Sequence, residues 1–245
     1  MEKTHNWFPL FSTNLLTVFN DNYLKWLVCF ISIKWVTTVN ESTIISIASA
    51  MLVLPFIFLS PLAGRLSVRY RKRDVLIVAK IVEIPIIIIG VLGFVSHSIY
   101  MVMAAVLMLG IQSSLLSPSK YGLIRDVGGE KGISYGTGSM EMLTFFGVLL
   151  GTFIASVISD HYNLVILIVI GVTIAIIGLI TAILIKVDES EPDKTNKDSI
   201  NPATFIVHSF KQAQSIPGLN YIILGLSFFW LVGALLQMNL KVYCP

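Results

Sequence analysis

Apolar residues arrive in long runs separated by short charged stretches. The runs cover residues 8–36, 42–63, 75–94, 99–116, 136–158, 163–185 and 219–236. Each is close to the roughly 20 residues that a helix needs to cross a hydrocarbon core of about 30 Å. The alternating segments of about 10 residues that a membrane β-barrel requires are absent. The pattern predicts an all-α membrane protein with six spans, an exposed charged linker and a seventh span. On this reading residues 1–185 form a transmembrane unit and 186–216 a linker with a short amphipathic helix, Phe205, Ile206 and Phe210 being its apolar side. Residues 217–245 then begin a further transmembrane unit.

The first run breaks its own pattern. Asn20, Asp21, Asn22 and Lys25 sit near its centre, where an ionised Asp or Lys costs about 2.5–3.5 kcal/mol on insertion scales. At 100° per residue Asn14, Asp21 and Lys25 share one helical stripe, and Asp21 and Lys25 have the i, i+4 spacing of an ion pair. Two readings follow: a water-facing wall of a binding cavity, or a structural pair holding the span in its bundle. Lys80 and Glu83, at i, i+3 in the third run, read as a structural pair, with Lys80 near enough to the span's end to snorkel. Glu141 has no close partner within its own run; either it pairs with a basic group on another span, or it is protonated and neutral in the membrane. Lys120 and Tyr121 stand at the end of the fourth run, either anchoring it at the interface or contacting a headgroup.

Composition agrees with the membrane reading. Of 245 residues 55% are hydrophobic and 13% charged, against about 25% charged in soluble domains, and mean hydropathy is +0.82. The net charge of +3 offers nucleic acid nothing; its distribution matters more. The connections after the second, fourth and sixth spans hold nearly all the Lys and Arg outside the spans, whereas the other side has Lys34 and Lys241. The positive-inside rule places the amino terminus and the linker in the cytoplasm. Cys29 and Cys244 make no metal or disulfide spacing, and the first run lacks a signal-peptide cleavage site. His5, His97, His161 and His208 lie at ends and connections and read as solvated; none has an Asp five residues on, as acyltransferase chemistry would need. No phosphate loop, nucleophile elbow or zinc spacing is found, so catalytic residues, cofactors and metals are expected to be none.

Between the second and third runs, Gly64-Arg65-Leu66-Ser67-Val68-Arg69-Tyr70-Arg71-Lys72-Arg73 resembles the signature loop of the major facilitator superfamily. Val68 stands in place of that signature's acidic residue, and Arg71 in place of its glycine. The resemblance implies a gating loop carried by Gly64, Arg65, Arg69 and Arg73. It also implies a six-helix half-bundle of inverted three-helix repeats, joined by a cytoplasmic linker to a second half.

Further segments recur in order: Phe19–Asn22, Ser60–Gly64, Gly110–Ser113, Ser117–Gly122, and Gly138 to Glu141 followed by Thr144-Phe145 and Gly147 to Gly151. Together they are similar to the lysophospholipid transporter (LplT-like) branch of that superfamily. The resemblance implies a carrier in the bacterial inner membrane that flips or imports a lysophospholipid or similar amphiphile. Its substrate site would include Asn20, Asp21, Asn22, Lys25, Lys120, Tyr121 and Glu141. Its partners would be the lipid membrane, the amphiphile, and a missing second half or an acyltransferase domain. The alternatives are a truncated, inactive carrier and a carrier for another small solute. Gly147 and Gly151 form a small-xxx-small pair expected to bring two helices into close contact.

Overall fold

The computed structural model describes residues 6–31, 35, 41–160, 163–189, 191–192 and 202–243. Lys34, His5, His161, Cys244 and most of the charged linker lie outside them, as do the side chains of Phe205, Ile206 and Lys241. The described residues are helical, with no strand among them. The helices are α1 (Phe8–Ile31), α2 (Glu41–Arg69), α3 (Lys72–Val95), α4 (Ile99–Asp160), α5 (Leu164–Leu184), α6 (Pro202–Gln214) and α7 (Leu219–Tyr243).

Five of these, α2, α3, α4, α5 and α7, are long and apolar enough to cross a membrane. Their outward faces carry Ile57, Phe58, Val78, Ile81, Val169 and Ile180, the surface that lipid requires. α1 differs. Its polar residues lower its hydropathy, and it is walled in by both arms of α4 and by α5. Thr13 donates to Thr181 Oγ1 at 2.9 Å, and Tyr23 donates to the Leu167 carbonyl at 3.2 Å. The chain therefore places a helix rich in buried polar residues at the centre of the bundle.

Close approach of α1 and α4 depends on the two expected glycines. A Cβ at Gly151 would stand 2.6 Å from the Phe19 carbonyl oxygen, and one at Gly147 3.0 Å from that of Leu15. Both contacts are with backbone, which cannot swing aside.

α4 is two arms, 99–128 and 130–160, bent at Gly129 with φ +61°, a conformation glycine adopts without a Cβ penalty. The stretch 117–135, expected as a polar connection, is therefore helical except at that bend. Trp7 fills the inside of the bend. Its ring occupies the space where Cβ atoms of Gly128, Gly132 and Gly136 would lie, with Phe11 stacked at 5.3 Å and Tyr135 edge-on at 5.7 Å. Trp7 is thus a packing wedge. His97, expected to be merely solvated, ends α3 at φ 51°, with its ring 4.7 Å from that of Trp35.

The basic connection also shrinks. α2 runs through Gly64, Arg65 and Arg69, and α3 begins at Lys72, so the expected gating loop is mostly helix. The first amides of α3 are capped from afar: Glu189 accepts from Lys72 N at 2.6 Å and Arg73 N at 3.1 Å. Lys72 Nζ pairs with Asp126 at 2.6 Å. Acids from α4 and from the segment after α5 thus surround the signature whose own acidic position is the exposed Val68. Glu189→Ala is expected to lower stability by about 1 kcal/mol, the usual worth of a helix cap. Thermal unfolding in detergent checks it.

Candidate functional site

Two apolar clusters fill the bundle. One gathers Tyr23, Leu27, Phe94, Leu109 and Leu167; the other gathers Leu10, Leu76, Leu123, Ile124 and Met140. Between them on every helix of the bundle's centre the buried residues turn polar. α1 contributes Thr13, Asn14, Thr17, Asn20 and Asp21; α3 contributes Lys80 and Glu83; α4 contributes Gln112, Ser113 and Lys120; α5 contributes Thr181. The outcome is a polar layer across the interior of an otherwise apolar membrane bundle.

The layer is knitted by three groups of contacts. In the first, Lys80 Nζ meets Glu83 Oε2 at 2.5 Å while Asn20 Nδ2 donates to Glu83 Oε1 at 2.6 Å. These two ionic side chains are 1% and 0% exposed, so Lys80 does not snorkel as expected. Gly178 makes room for it, since a Cβ there would lie 2.9 Å from Nζ. In the second, Ser113 Oγ donates to Asp21 Oδ2 at 2.6 Å and also lies 3.3 Å from Gln112 Oε1. Gln112 Nε2 in turn donates to the Ala79 carbonyl at 3.3 Å. Asp21 Oδ1 is buried with no partner among the described residues.

The third group spans three segments. Lys120 Nζ donates to Asn14 Oδ1 at 2.8 Å, and Asn14 Nδ2 donates to the Met140 carbonyl and to Thr144 Oγ1, both at 3.1 Å. The Lys120 ammonium also lies 5.2 Å from the Tyr121 ring centre. Tyr121 OH donates to Glu141 at 2.7 Å; the partner that Glu141 lacked in sequence comes from the other arm of α4. Gly129's bend brings these arms together.

The expected stripe on α1 is corrected in two respects. Asp21 and Lys25 do not pair: Asp21 takes Ser113, and Lys25 lies 5.0 Å from the Trp26 ring centre. Neither faces open water, at 9% and 7% exposed. Asn22 Nδ2 returns to the Val18 carbonyl of its own helix at 2.9 Å. Asp21, Lys25 and Glu141 are joined by no hydrogen bond or ion pair among the described residues. Lys120, Tyr121 and Glu141 are brought together. Asn14 and Thr144, which complete that group, were visible in sequence only as polar residues within apolar runs.

A protein-family model described as the Major Facilitator Superfamily matches residues 11–244. The chain belongs to the Major Facilitator Superfamily. As a major facilitator protein it is a multi-pass membrane protein of a transporter family. No curated protein matches it. Members of the superfamily are transporters rather than enzymes, and among the described residues no group of His, Cys, Asp or Glu could hold a metal. A buried polar layer suits such a transporter, because ionisable groups at bilayer depth usually mark a pathway for polar cargo.

Proposed function

We propose that this major facilitator protein carries a lysophospholipid, or an amphiphile of similar headgroup, across the bacterial inner membrane, with the amino terminus in the cytoplasm. The first six spans of the sequence reading, with α4 supplying two of them, serve as one half-bundle of the carrier. The observation that supports the reading most is the Lys120–Tyr121–Glu141 group. It offers a buried ammonium beside a part-exposed carboxylate, the pair of charges that a zwitterionic headgroup complements. Asp21, with one free oxygen behind Ser113, is the next acceptor inward. Asn20, Asn22 and Lys25 set the shape of the layer, and Gly64, Arg65, Arg69 and Arg73 border the turn that closes it on the basic side.

Reconstitution tests this. Vesicles holding the chain should move a fluorescent lysophosphatidylethanolamine between leaflets faster than protein-free vesicles. Lys120→Gln should slow that movement at least about tenfold, the worth of one charge-assisted contact of about 1.5–3 kcal/mol. Flux equal in the variant and the native chain would remove the headgroup role. A second reading rests on α7, whose apolar surface is exposed apart from contacts such as that of Trp230 with Phe145 at 5.1 Å. On that reading flux needs further helices packed on α7, and robust flux by this chain alone would refute it.

A further inference from the structure

α6 lies outside both apolar clusters and the polar layer, and the carrier role makes no use of it. Its 13 residues are too few to cross a bilayer, which takes about 20. At 100° per residue Val207 and Phe210 fall about 60° apart on the helix, and Gln212 falls about 140–160° from both. Lys211 flanks Val207, where its stem can lie along the apolar face while its ammonium turns to water. Val207 and Phe210 are exposed, at 56% and 58%. α6 touches α2 and α7, but those contacts leave both side chains uncovered.

The way α6 is attached decides what covers them. Residues 215–218 join it to α7, a helix long and apolar enough to cross the membrane. The join is hydrogen-bonded. Ser215 N donates to the Gln212 carbonyl at 3.1 Å, Ile216 N to that of Ala213 at 3.3 Å, and Leu219 N to that of Ile216 at 3.2 Å. Gly218, with φ +82°, supplies the left-handed residue on which the chain turns into α7. Ile216, within the join, is itself exposed. α6 is therefore held close to the point where α7 enters the bilayer. At that level an apolar face with polar residues opposite it meets the boundary between headgroups and acyl chains.

We infer that α6 is a membrane-surface helix, lying along that boundary on the side where α7 begins, with Val207 and Phe210 among lipid and Gln212 in water. Residues 202–214 contain no acid, and Lys211 and His208 are the only side chains there that can carry positive charge. The attachment therefore rests on burial of apolar surface rather than on attraction to anionic lipid. It pins the linker to the membrane at its α7 end, whatever cargo the polar layer carries.

Depth-resolved photolabelling tests this. The full chain is placed in phosphatidylcholine nanodiscs, one copy per disc, so that a second copy cannot cover the face. Two phosphatidylcholine probes carry a diazirine at the glycerol end or at the methyl end of an acyl chain, and adducts are mapped by peptide mass spectrometry. Val207 and Phe210 should favour the glycerol-end probe at least about threefold, as a helix sunk about 5–10 Å into the boundary requires. The exposed Ile176 and Ile177, near the middle of α5, should favour the methyl-end probe. Phe210→Asp should cut α6 labelling at least about fivefold, because it removes a large share of the apolar area that holds the helix down; unchanged α5 labelling reports an intact fold. Salt at about 1 M, where charges are screened beyond about 3 Å, should leave α6 labelling as it was. Equal labelling of α6 by the two probes, adducts on Gln212 matching those on Phe210, indifference to Phe210→Asp, or loss of α6 adducts in high salt would each overturn the inference. The readout is labelling, so a chain that moves no lysophospholipid can still pass or fail it.

Discussion

Lys80→Met is expected to cost about 3–5 kcal/mol, the toll of leaving one partner of a buried ion pair uncompensated. Glu83 would then be held at 0% exposure with only the Asn20 amide against its charge. Against a total stability of about 5–15 kcal/mol, typical of a folded domain, that is a large fraction. The double change Lys80→Met with Glu83→Leu should recover most of the loss, because neither charge then remains to be solvated. Asn20 would be the residual cost, its amide losing its acceptor. Unfolding in mixed detergent for the native chain, both single variants and the double variant gives the coupling energy directly. A coupling near zero would mean that water reaches the pair.

The second large effect is steric. Gly151→Val is expected to prevent native packing of α1 on the second arm of α4. Its Cβ alone would lie 2.6 Å from the Phe19 carbonyl oxygen and 3.1 Å from Tyr23 N, and overpacking of this kind costs about 1–3 kcal/mol or more. The strain falls on backbone that also positions Asn20 and Asp21. Loss of stability should therefore come with loss of the Ser113–Asp21 hydrogen bond. Gly64→Ala is the control: a Cβ there meets nothing within 4 Å, so the fold should be unchanged or gain up to about 1 kcal/mol of helix propensity. Fluorescence-detected size exclusion after a temperature ramp separates the two outcomes.

Much of the helical layout was legible in the sequence, because apolar runs of spanning length admit few other structures in lipid. The ends of the runs were less so. Polar residues at 117–128 looked like a connection, yet a helix that leaves the bilayer continues as long as its backbone bonds remain unbroken. Only Gly129 stops it. The expected gating loop dissolved into α2 for the same reason. The Gly147 and Gly151 contact was readable from spacing alone, since small residues four apart share a helix face.

The site was legible in part. Polar residues at bilayer depth announced themselves by cost, which picked out Asp21, Lys25, Lys80, Glu83 and Glu141. Which of them meet could not be read off, because partners come from different helices. Asp21 and Lys25 have ideal spacing for a pair, but the polar layer offers Asp21 a serine on α4 at 2.6 Å. Lys80 looked able to snorkel, but Glu83 and Asn20 give its neighbourhood enough polarity to hold it inside. Glu189 and Asp126, which pair with the start of α3, carried no signal beyond charge; their role depends on how α4 and the end of α5 return to that turn.

The central claim is that the polar layer of this bundle exists to receive a charged headgroup, with Lys120 as its cation. Equilibrium binding of a lysophosphatidylethanolamine to the chain in lipid nanodiscs, compared between native protein and Lys120→Gln, tests it most directly. The account predicts at least about tenfold weaker binding in the variant, matching about 1.4 kcal/mol or more of lost contact, beyond any change in the folded fraction. Equal affinity in the two proteins, at equal folding, would contradict it.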